Sequence, residues 1–210
     1  GLTLRSFDYQ KRLEKILSMM KKGDYLFIQF GHNDQKDKRE GAGPFTTYKA
    51  SLEKFVAATR EKGGIPVLVT PMERRRWSGG QPRETLSDFA EAVRQTAREQ
   101  KTALIDLHAM SLQLYGALGE SDSKGAFAFY PAGTFPGRLD ELKDNTHHNN
   151  EGAYLLARCV LEGIKKNIPE LAARVREDLG DFSPENPPKF SELHLPHSPF
   201  SAKTDKPAGD

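Results

Sequence analysis

Short apolar runs alternate with amphipathic helical segments along the first half of the chain. Residues 25–30 (YLFIQF), 66–70 (PVLVT) and 103–107 (ALIDL) are too short and too apolar for surface helices and are typical of buried strands. The segments between them repeat apolar residues at helical spacing. Strands that alternate with helices form a parallel sheet joined by right-handed crossovers and covered on both faces. The sequence therefore predicts an α/β fold.

A helix is predicted before each of these strands, over residues 7–22, 46–62 and 84–100. Ser6 is the predicted N-cap of the first helix, and Gly23 its end. Asn149 or Asn150 is expected to cap a later helix, and a further short helix is expected to begin at Pro169.

Two later segments lack this periodicity. Residues 119–146 are rich in glycine, proline and aromatic residues and predict a long loop, and loops of that length inside compact domains are usually functional. Residues 181–210 contain much proline, which predicts a tail or linker. The expected organisation is one domain over residues 1–180 followed by the tail.

Charge and hydropathy argue against two classes of partner. The chain has 31 basic and 29 acidic side chains and a net charge of +2, which gives no case for a nucleic-acid binder. No apolar run approaches the roughly 18 residues needed to span a bilayer, so no membrane partner is expected. The single cysteine, Cys159, can form no intrachain disulfide and is predicted to lie in the core. The start at Gly1 instead of methionine suggests a processed or cleaved chain.

Polar residues follow the first predicted strand at Gly31, His32, Asn33 and Asp34. The carboxyl ends of parallel strands are where α/β proteins place their chemistry. The Asn33 amide could donate to a developing oxyanion. The alternative is an ordinary turn, because glycine, asparagine and aspartate favour turns for backbone reasons.

A carboxylate and an imidazole lie three residues apart at Asp144 and His147. Such a pair can orient and perform general-base catalysis. The alternative is a turn before a helix with a solvated histidine. A metal site that also uses His148 would need further ligands from His32 or Asp34, so no metal is predicted.

Three arginines and a tryptophan, Arg74, Arg75, Arg76 and Trp77, follow the second predicted strand. A run of charge is usually a solvated face. At a strand end beside an indole that can stack on a sugar, the same run could hold an anionic saccharide.

Taken in their order along the chain, these motifs resemble the SGNH (GDSL-like) hydrolase superfamily, and specifically its rhamnogalacturonan acetylesterase-like carbohydrate esterases. The resemblance extends from Gly1 to about Lys166. The residues from Gly31 to Asp34 are similar to the third block of that superfamily, and Asp144 and His147 match its D-x-x-H fifth block. Residues 67–77 (VLVTPMERRRW) are similar to a V-T-P and R-R-aromatic signature of the subgroup. The resemblance implies a three-layer αβα sandwich of the flavodoxin-like SGNH type.

The beginning of the chain is similar to the second block, a G-R-S-x-R-[ST]-[FY] pattern whose first glycine donates an oxyanion N–H. Residues 1–7 (GLTLRSF) match this block, but Leu2 and Thr3 depart from it. In the family, a G-D-S turn with the nucleophilic serine precedes the block, and here nothing precedes Gly1. Residues 119–123 (GESDS) resemble that turn only superficially, because they follow a helix instead of a strand.

The strand of the first block would pair beside residues 25–30, so without it these residues would leave an apolar edge exposed. We therefore expect an upstream segment, or a separate chain, to supply both the missing first strand and the serine.

The resemblance implies a serine ester hydrolase that removes acetyl groups from a plant cell-wall polysaccharide, with pectin or rhamnogalacturonan expected. It implies that His147 is the base, Asp144 its orienter, and Asn33 and Gly1 the oxyanion donors, with no cofactor and no metal. The residues expected to contact the acetylated polysaccharide or oligosaccharide are His32, Arg74, Arg75, Arg76 and Trp77. From such a substrate, a secreted or periplasmic location is expected.

Two alternatives remain. Because the serine is missing, the chain could be a non-catalytic carbohydrate-binding relic or subunit of the same fold. It could also hydrolyse lipid or small esters, which the long polar loop makes less attractive.

Overall fold

The structure, a computed structural model, describes residues 1–196 and divides them into two units. Of the described residues, the first unit contains 1–71 and 86–108, and the second contains 72–85 and 109–196. Residues 1–180, which the sequence predicts as one domain, contribute to both units. Within the described residues, every helix is too short or too polar to cross a membrane.

Seven α-helices and seven strands are assigned in the described part of the chain. The elements, in chain order, are α1 (Leu4–Tyr9), α2 (Arg12–Met19), β1 (Tyr25–Ile28), α3 (Lys49–Glu61), β2 (Ile65–Val69), β3 (Trp77–Ser78), β4 (Gln81–Pro82), α4 (Ser87–Glu99), β5 (Ala103–Ile105), α5 (Leu107–Asp122), β6 (Phe127–Tyr130), β7 (Leu142–His148), α6 (Asn150–Asn167) and α7 (Pro169–Ala172). Short 3₁₀ turns lie at Asp34–Lys36, Ser123–Ala126, Glu177–Leu179 and Phe190–Glu192, and a π turn lies at Pro44–Tyr48.

The first unit is built on a parallel sheet in the order β1-β2-β5. Tyr25 lies opposite Ile65 and Val67 opposite Ala103, so the three predicted strands share one direction. Helices α1 to α4 contribute apolar side chains to a core with Ile28 and Leu68 of the sheet. The other helical members of this core include Leu4, Leu13, Leu52, Phe55, Val56, Phe89 and Val93. The prediction of an α/β fold with a parallel sheet is confirmed.

Strand β1 lies at one edge of this sheet, since it pairs with β2 and with no other strand of the described chain. Ile28 is buried at 2% exposure, but Phe27 on the opposite face of the strand is 39% exposed. An apolar edge strand with unpaired backbone groups is a surface on which another strand can pair.

The first predicted helix, over residues 7–22, is two helices in the structure. Lys11 has a left-handed backbone (φ 57°), which ends α1 and sets a new direction for α2. Thr3, not Ser6, caps α1: its hydroxyl accepts from the Ser6 N–H, and the Ser6 hydroxyl accepts from the Thr3 N–H in return. The two residues form a capping box, which explains why Ser6 looked like the cap.

In the second unit, an antiparallel hairpin of β6 and β7 replaces much of the predicted loop over residues 119–146. Tyr130 pairs with Leu142, and Phe127 pairs with His148. These partners are far apart along the chain, so the local periodicity on which the sequence prediction relied does not report their pairing.

Residues 181–196, the first part of the predicted tail or linker, lie within the second unit. The Phe190 ring lies so close to Gly125 that a Cβ at Gly125 would be 2.7 Å from it. The Gly180 carbonyl accepts a hydrogen bond from Arg158 of α6. Residues 197–210 of the predicted tail lie outside the described residues.

Candidate active site

The Asp144–His147 segment lies in a bulge of β7. Lys143 pairs with Phe129 and His148 with Phe127, so residues 144–147 face only Ala128 on the neighbouring strand. A bulge releases residues from the regular hydrogen-bond ladder and redirects their side chains, and bulges often occur beside active sites.

The Asp144 carboxylate organises this bulge with both of its oxygens. Oδ1 accepts from the backbone N–H groups of Thr146 (2.7 Å) and His147 (3.0 Å), and Oδ2 lies 2.6 Å from His147 Nδ1. Burial acts to raise the pKa of Asp144, but the hydrogen bonds from His147 and Thr146 outweigh it and hold this pKa below its usual value of 3.8. The ionised carboxylate favours a proton on Nδ1, which leaves Nε2 as the acceptor. With a side chain 79% exposed, His147 can present Nε2 to a substrate.

His148 is anchored on the inner side of the hairpin. Its Nε2 lies 2.8 Å from the Tyr115 hydroxyl, and its ring packs against that of Phe127 with centroids 4.3 Å apart. This packing fixes the end of β7 against Tyr115 and Phe127. It thereby holds His147, the residue before His148, in place at the surface. Sequence reasoning considered His148 only as a metal ligand. No cluster of three or more metal-ligating His, Cys, Asp or Glu side chains occurs among residues 1–196.

Arg75 connects the arginine segment to β7, the strand that bears His147. Its backbone N–H donates to the Asn145 carbonyl at 2.8 Å, and its Nη1 donates to Asn145 Oδ1 at 2.9 Å. Nε donates to Ser123 Oγ, Nη2 donates to the Glu120 carbonyl, and the guanidinium packs over Phe129. These bonds hold Asn145, the neighbour of Asp144, in the bulge.

The other predicted substrate-binding residues of this segment lie in different environments. Arg74 donates to Thr85 Oγ at 2.9 Å, and Arg76 is exposed. Trp77 is half-buried in β3, and its indole N–H has no acceptor among residues 1–196.

Glu73, which sequence reasoning missed, lies fully buried beneath the arginines. Its carboxylate accepts from the backbone N–H and hydroxyl of Thr85, and its own N–H donates to Ser111 Oγ at 2.9 Å. Its carbonyl accepts from the Tyr115 hydroxyl, which also contacts His148. Burial raises the pKa of Glu73 above its usual 4.5, although the bonds from Thr85 and the charge of Arg74 oppose the shift. The sequence signal that could have identified Glu73 is a single acidic residue immediately before three arginines.

We expect a Glu73→Gln variant to lose part of the pH dependence of stability. Because the pKa is raised in the folded state, the folded protein retains this proton at pH values where the unfolded chain has released it. Wild-type stability should therefore fall as pH rises from about 4.5 through the raised pKa. Glutamine does not titrate, so urea unfolding between pH 4 and 7 should show a smaller fall.

The exposed Glu84→Gln change is the matched control and should retain the wild-type pH dependence. An identical fall in Glu73→Gln and wild type would contradict the assignment of this titration to Glu73.

Asn33 lies in the first unit, just after β1, in a turn held by Asp34. The Asp34 carboxylate accepts from the N–H groups of Leu4 (2.9 Å) and Gly31 (3.1 Å). Gly31 has a φ of 140° and lies so close to Pro71 that a Cβ would be 2.9 Å from the proline ring, so this turn requires glycine. The turn is thus held both by the hydrogen bonds of the Asp34 carboxylate and by the close contact of Gly31 with Pro71.

The Asn33 amide is oriented with its nitrogen toward Gly1. Lys36 Nζ donates to Asn33 Oδ1 at 3.1 Å, and a Cβ at Gly1 would overlap Asn33 Nδ2. The structure therefore brings the two predicted oxyanion donors together. His32 and Asn33 line a depression of about 320 Å³ in this unit, with Leu2, Phe7, Gln29, Phe30 and Gly31.

Comparisons with known proteins agree with the predicted hydrolase superfamily. Residues 2–155 match the model of the GDSL-like lipase/acylhydrolase family. The chain is 39% identical to the rhamnogalacturonan acetylesterase RhgT of Bacillus subtilis, over 79% of this chain and 71% of that protein. It is 34% identical to the probable rhamnogalacturonan acetylesterase YesY of the same organism, over 84% of this chain and 79% of that protein.

Among solved structures, that of the YxiM protein of Bacillus subtilis has a TM-score of 0.65 and 28% identity, over 79% of this chain and 43% of that chain. The chain thus spans less than half of that structure. An acetylxylan esterase from Geobacillus stearothermophilus shares the fold, with a TM-score of 0.55 and 22% identity over 78% of this chain and 68% of that one. The predictions of an ester hydrolase and of the rhamnogalacturonan acetylesterase-like group are confirmed. The chain belongs to the GDSL-like lipase/acylhydrolase family.

Proposed function

We propose that the protein is a carbohydrate esterase that removes acetyl groups from a pectic polysaccharide of the rhamnogalacturonan type. The observation that carries the proposal is the Asp144–His147 pair, with Oδ2 2.6 Å from Nδ1 and the imidazole exposed. The names of the two Bacillus subtilis relatives support the substrate class. A cell-wall polymer as substrate implies a secreted or periplasmic location.

The proposed reaction is acyl transfer. A serine oxygen attacks the acetyl carbonyl while His147 Nε2 takes the serine proton, and Asn33 Nδ2 and the Gly1 N–H donate to the oxyanion. Collapse of the tetrahedral intermediate breaks the ester bond, and the sugar oxygen receives the proton from His147. Water, deprotonated by His147, then attacks the acetyl-serine; the bond to the serine oxygen breaks, this oxygen takes the proton from His147, and acetate leaves. Asp144 holds the imidazole orientation throughout.

We propose that the serine is carried by a further strand, on the same polypeptide, that pairs with the exposed edge of β1. The exposed Phe27 and the position of β1 at the edge of its sheet support this position. A strand there would bury apolar surface such as the Phe27 ring.

The test is acetate release by a polypeptide that carries this segment. We expect release from acetylated rhamnogalacturonan to exceed release from acetylated xylan, and loss of both when the serine becomes alanine. A protein that hydrolyses neither polymer nor p-nitrophenyl acetate, with a His147→Ala variant that behaves identically, would support the carbohydrate-binding alternative. Preference for acetylated xylan would contradict the pectic substrate.

Replacing Asn33 with alanine should lower kcat by about 10²–10³-fold, the cost typical of removing one oxyanion donor. KM should change little, because the donor acts mainly on the charge that develops during the reaction. Steady-state kinetics on p-nitrophenyl acetate would measure the effect. Gln10→Ala removes an exposed amide from the same unit as a control, and an Asn33→Ala variant with the kcat of this control would exclude Asn33 as a donor.

Among the three arginines, Arg76 is the one whose side chain is exposed, and we propose that it and Trp77 contact the acidic backbone of the substrate. An Arg76→Ala variant should raise KM for acetylated pectic oligosaccharides about two- to fivefold, as expected for an exposed charge pair. Its kcat/KM for p-nitrophenyl acetate, which lacks the acidic backbone, should be unchanged. Arg174→Ala removes an exposed arginine elsewhere in the second unit and serves as the control. Equal KM values in the two variants would argue against this role of Arg76.

A further inference from the structure

The segment that follows α7 borders an open cavity in the second unit. Residues 181–193 lie against Tyr154 and Arg158 of α6 and leave a cavity of about 720 Å³. This volume is within the roughly 300–1,000 Å³ of small-molecule sites. The lining includes neither Asp144 nor His147, so the cavity is separate from the catalytic pair.

Arg158 is the buried polar group of this cavity, with 9% of its surface exposed. Its Nη1 donates to the Tyr154 hydroxyl at 3.1 Å and its Nη2 to the Gly180 carbonyl at 3.0 Å. The guanidinium carbon lies 5.2 Å from the centre of the Phe182 ring and 6.0 Å from that of Tyr154. The position of Arg158 is therefore fixed by packing and by hydrogen bonds.

The Nε–H group of Arg158 has no acceptor within residues 1–196, although the atom is buried. Buried donors in proteins almost always have a partner, and an exception requires an explanation. Arg158 lines the cavity, so a ligand bound there would lie against the residue that bears this unsatisfied donor.

The charges of the lining indicate the class of ligand. Arg158 and Lys189 are cationic and Asp181 and Glu192 are anionic, so an anion would approach two carboxylates as well as two cations. Hydroxyl groups both donate and accept, and they can satisfy all four side chains. The rings of Tyr154 and Phe182 and the adjacent Pro187 and Pro188 offer apolar surface to the C–H faces of a sugar ring.

We propose that this cavity is a second saccharide-binding site, which takes a short neutral oligosaccharide against Arg158 and the rings of Tyr154 and Phe182. It would hold this saccharide by contacts separate from those that bind the ester. This site does not depend on the proposed esterase reaction, because it is defined by binding alone.

The test is titration of the protein with xylotriose, followed by calorimetry and by the NMR signals of the arginine Nε–H groups. We expect saturable binding and a shift of the Arg158 signal. Phe182→Ala should weaken binding about tenfold, since it removes an aromatic contact. Phe45→Ala, which removes an exposed ring in the first unit, should bind as wild type does. Asn186→Ala, at an exposed lining residue, should also weaken binding and requires no change to a packed side chain.

Three results would overturn the proposal. The first is no saturable binding of xylotriose, and the second is binding that both Phe182→Ala and Asn186→Ala leave unchanged. The third is tighter binding of trigalacturonate than of xylotriose, which would assign the cavity to an anionic ligand. None of these measurements involves ester hydrolysis, so failure of the esterase proposal would be seen separately.

Discussion

Replacing His147 with alanine is expected to lower kcat/KM for acetyl ester hydrolysis by roughly 10⁴-fold or more, as loss of a catalytic base does in serine hydrolases. The variant loses the group that takes the serine proton and later activates water. Its stability should stay within about 0.5 kcal/mol of wild type, because the side chain is 79% exposed. Kinetics on p-nitrophenyl acetate and urea unfolding would measure the two quantities on the polypeptide that carries the serine.

His194→Ala is the matched control, since His194 is an exposed histidine in the same unit. It should retain wild-type activity. If His147→Ala kept more than about a tenth of wild-type kcat/KM, the general-base role would be refuted, since general-base catalysis typically contributes 10²–10⁴-fold.

Asp144→Asn should lower kcat by about 10³–10⁴-fold while leaving the bulge in place. The asparagine Oδ1 can still accept from the N–H groups of Thr146 and His147, as the aspartate oxygen does. Its NH₂ group, however, would face His147 Nδ1, where the carboxylate oxygen now lies at 2.6 Å. The imidazole would then place its proton on Nε2, and a protonated Nε2 cannot accept from serine.

The NMR signals of the imidazole nitrogens would show this change of tautomer directly, beside the kinetic measurement. Asp140→Asn alters an exposed carboxylate of the same hairpin and should leave both measurements unchanged. An Asp144→Asn enzyme with wild-type kcat would show that the carboxylate does not orient the base.

The parallel sheet could be predicted because its strands have a local sequence signature. Each is a short apolar run between helices, and Val67 and Leu68 are fully buried as such a run requires. The break at Lys11 could not be predicted, because a lysine in the left-handed conformation leaves no sequence signature. The β6–β7 hairpin was missed because its pairs join residues distant in sequence.

Asp144 and His147 could be proposed as carboxylate and base from their spacing together with the family resemblance, since the two residues are close along the chain. The hydrogen bonds that hold the surroundings of this pair in place could not be predicted. Arg75 contacts Ser123 and Asn145, and Glu73 contacts Thr85 and Ser111, through hydrogen bonds that span long stretches of sequence. A single sequence contains no direct record of such contacts.

By itself, the sequence determined the α/β class and the strand that ends at the Asn33 turn, and it placed Asp144 and His147, the proposed carboxylate and base, three residues apart. These depend on local periodicity and on residue types a few positions apart. Only the tertiary structure decided that His147 extends from a bulge while His148 is held by Tyr115, and that Arg75 is used in internal hydrogen bonds. It also decided that residues 181–193 border an open cavity beside Arg158. The physical reason is the same in each case: burial and hydrogen bonding are settled by which distant segments pack together.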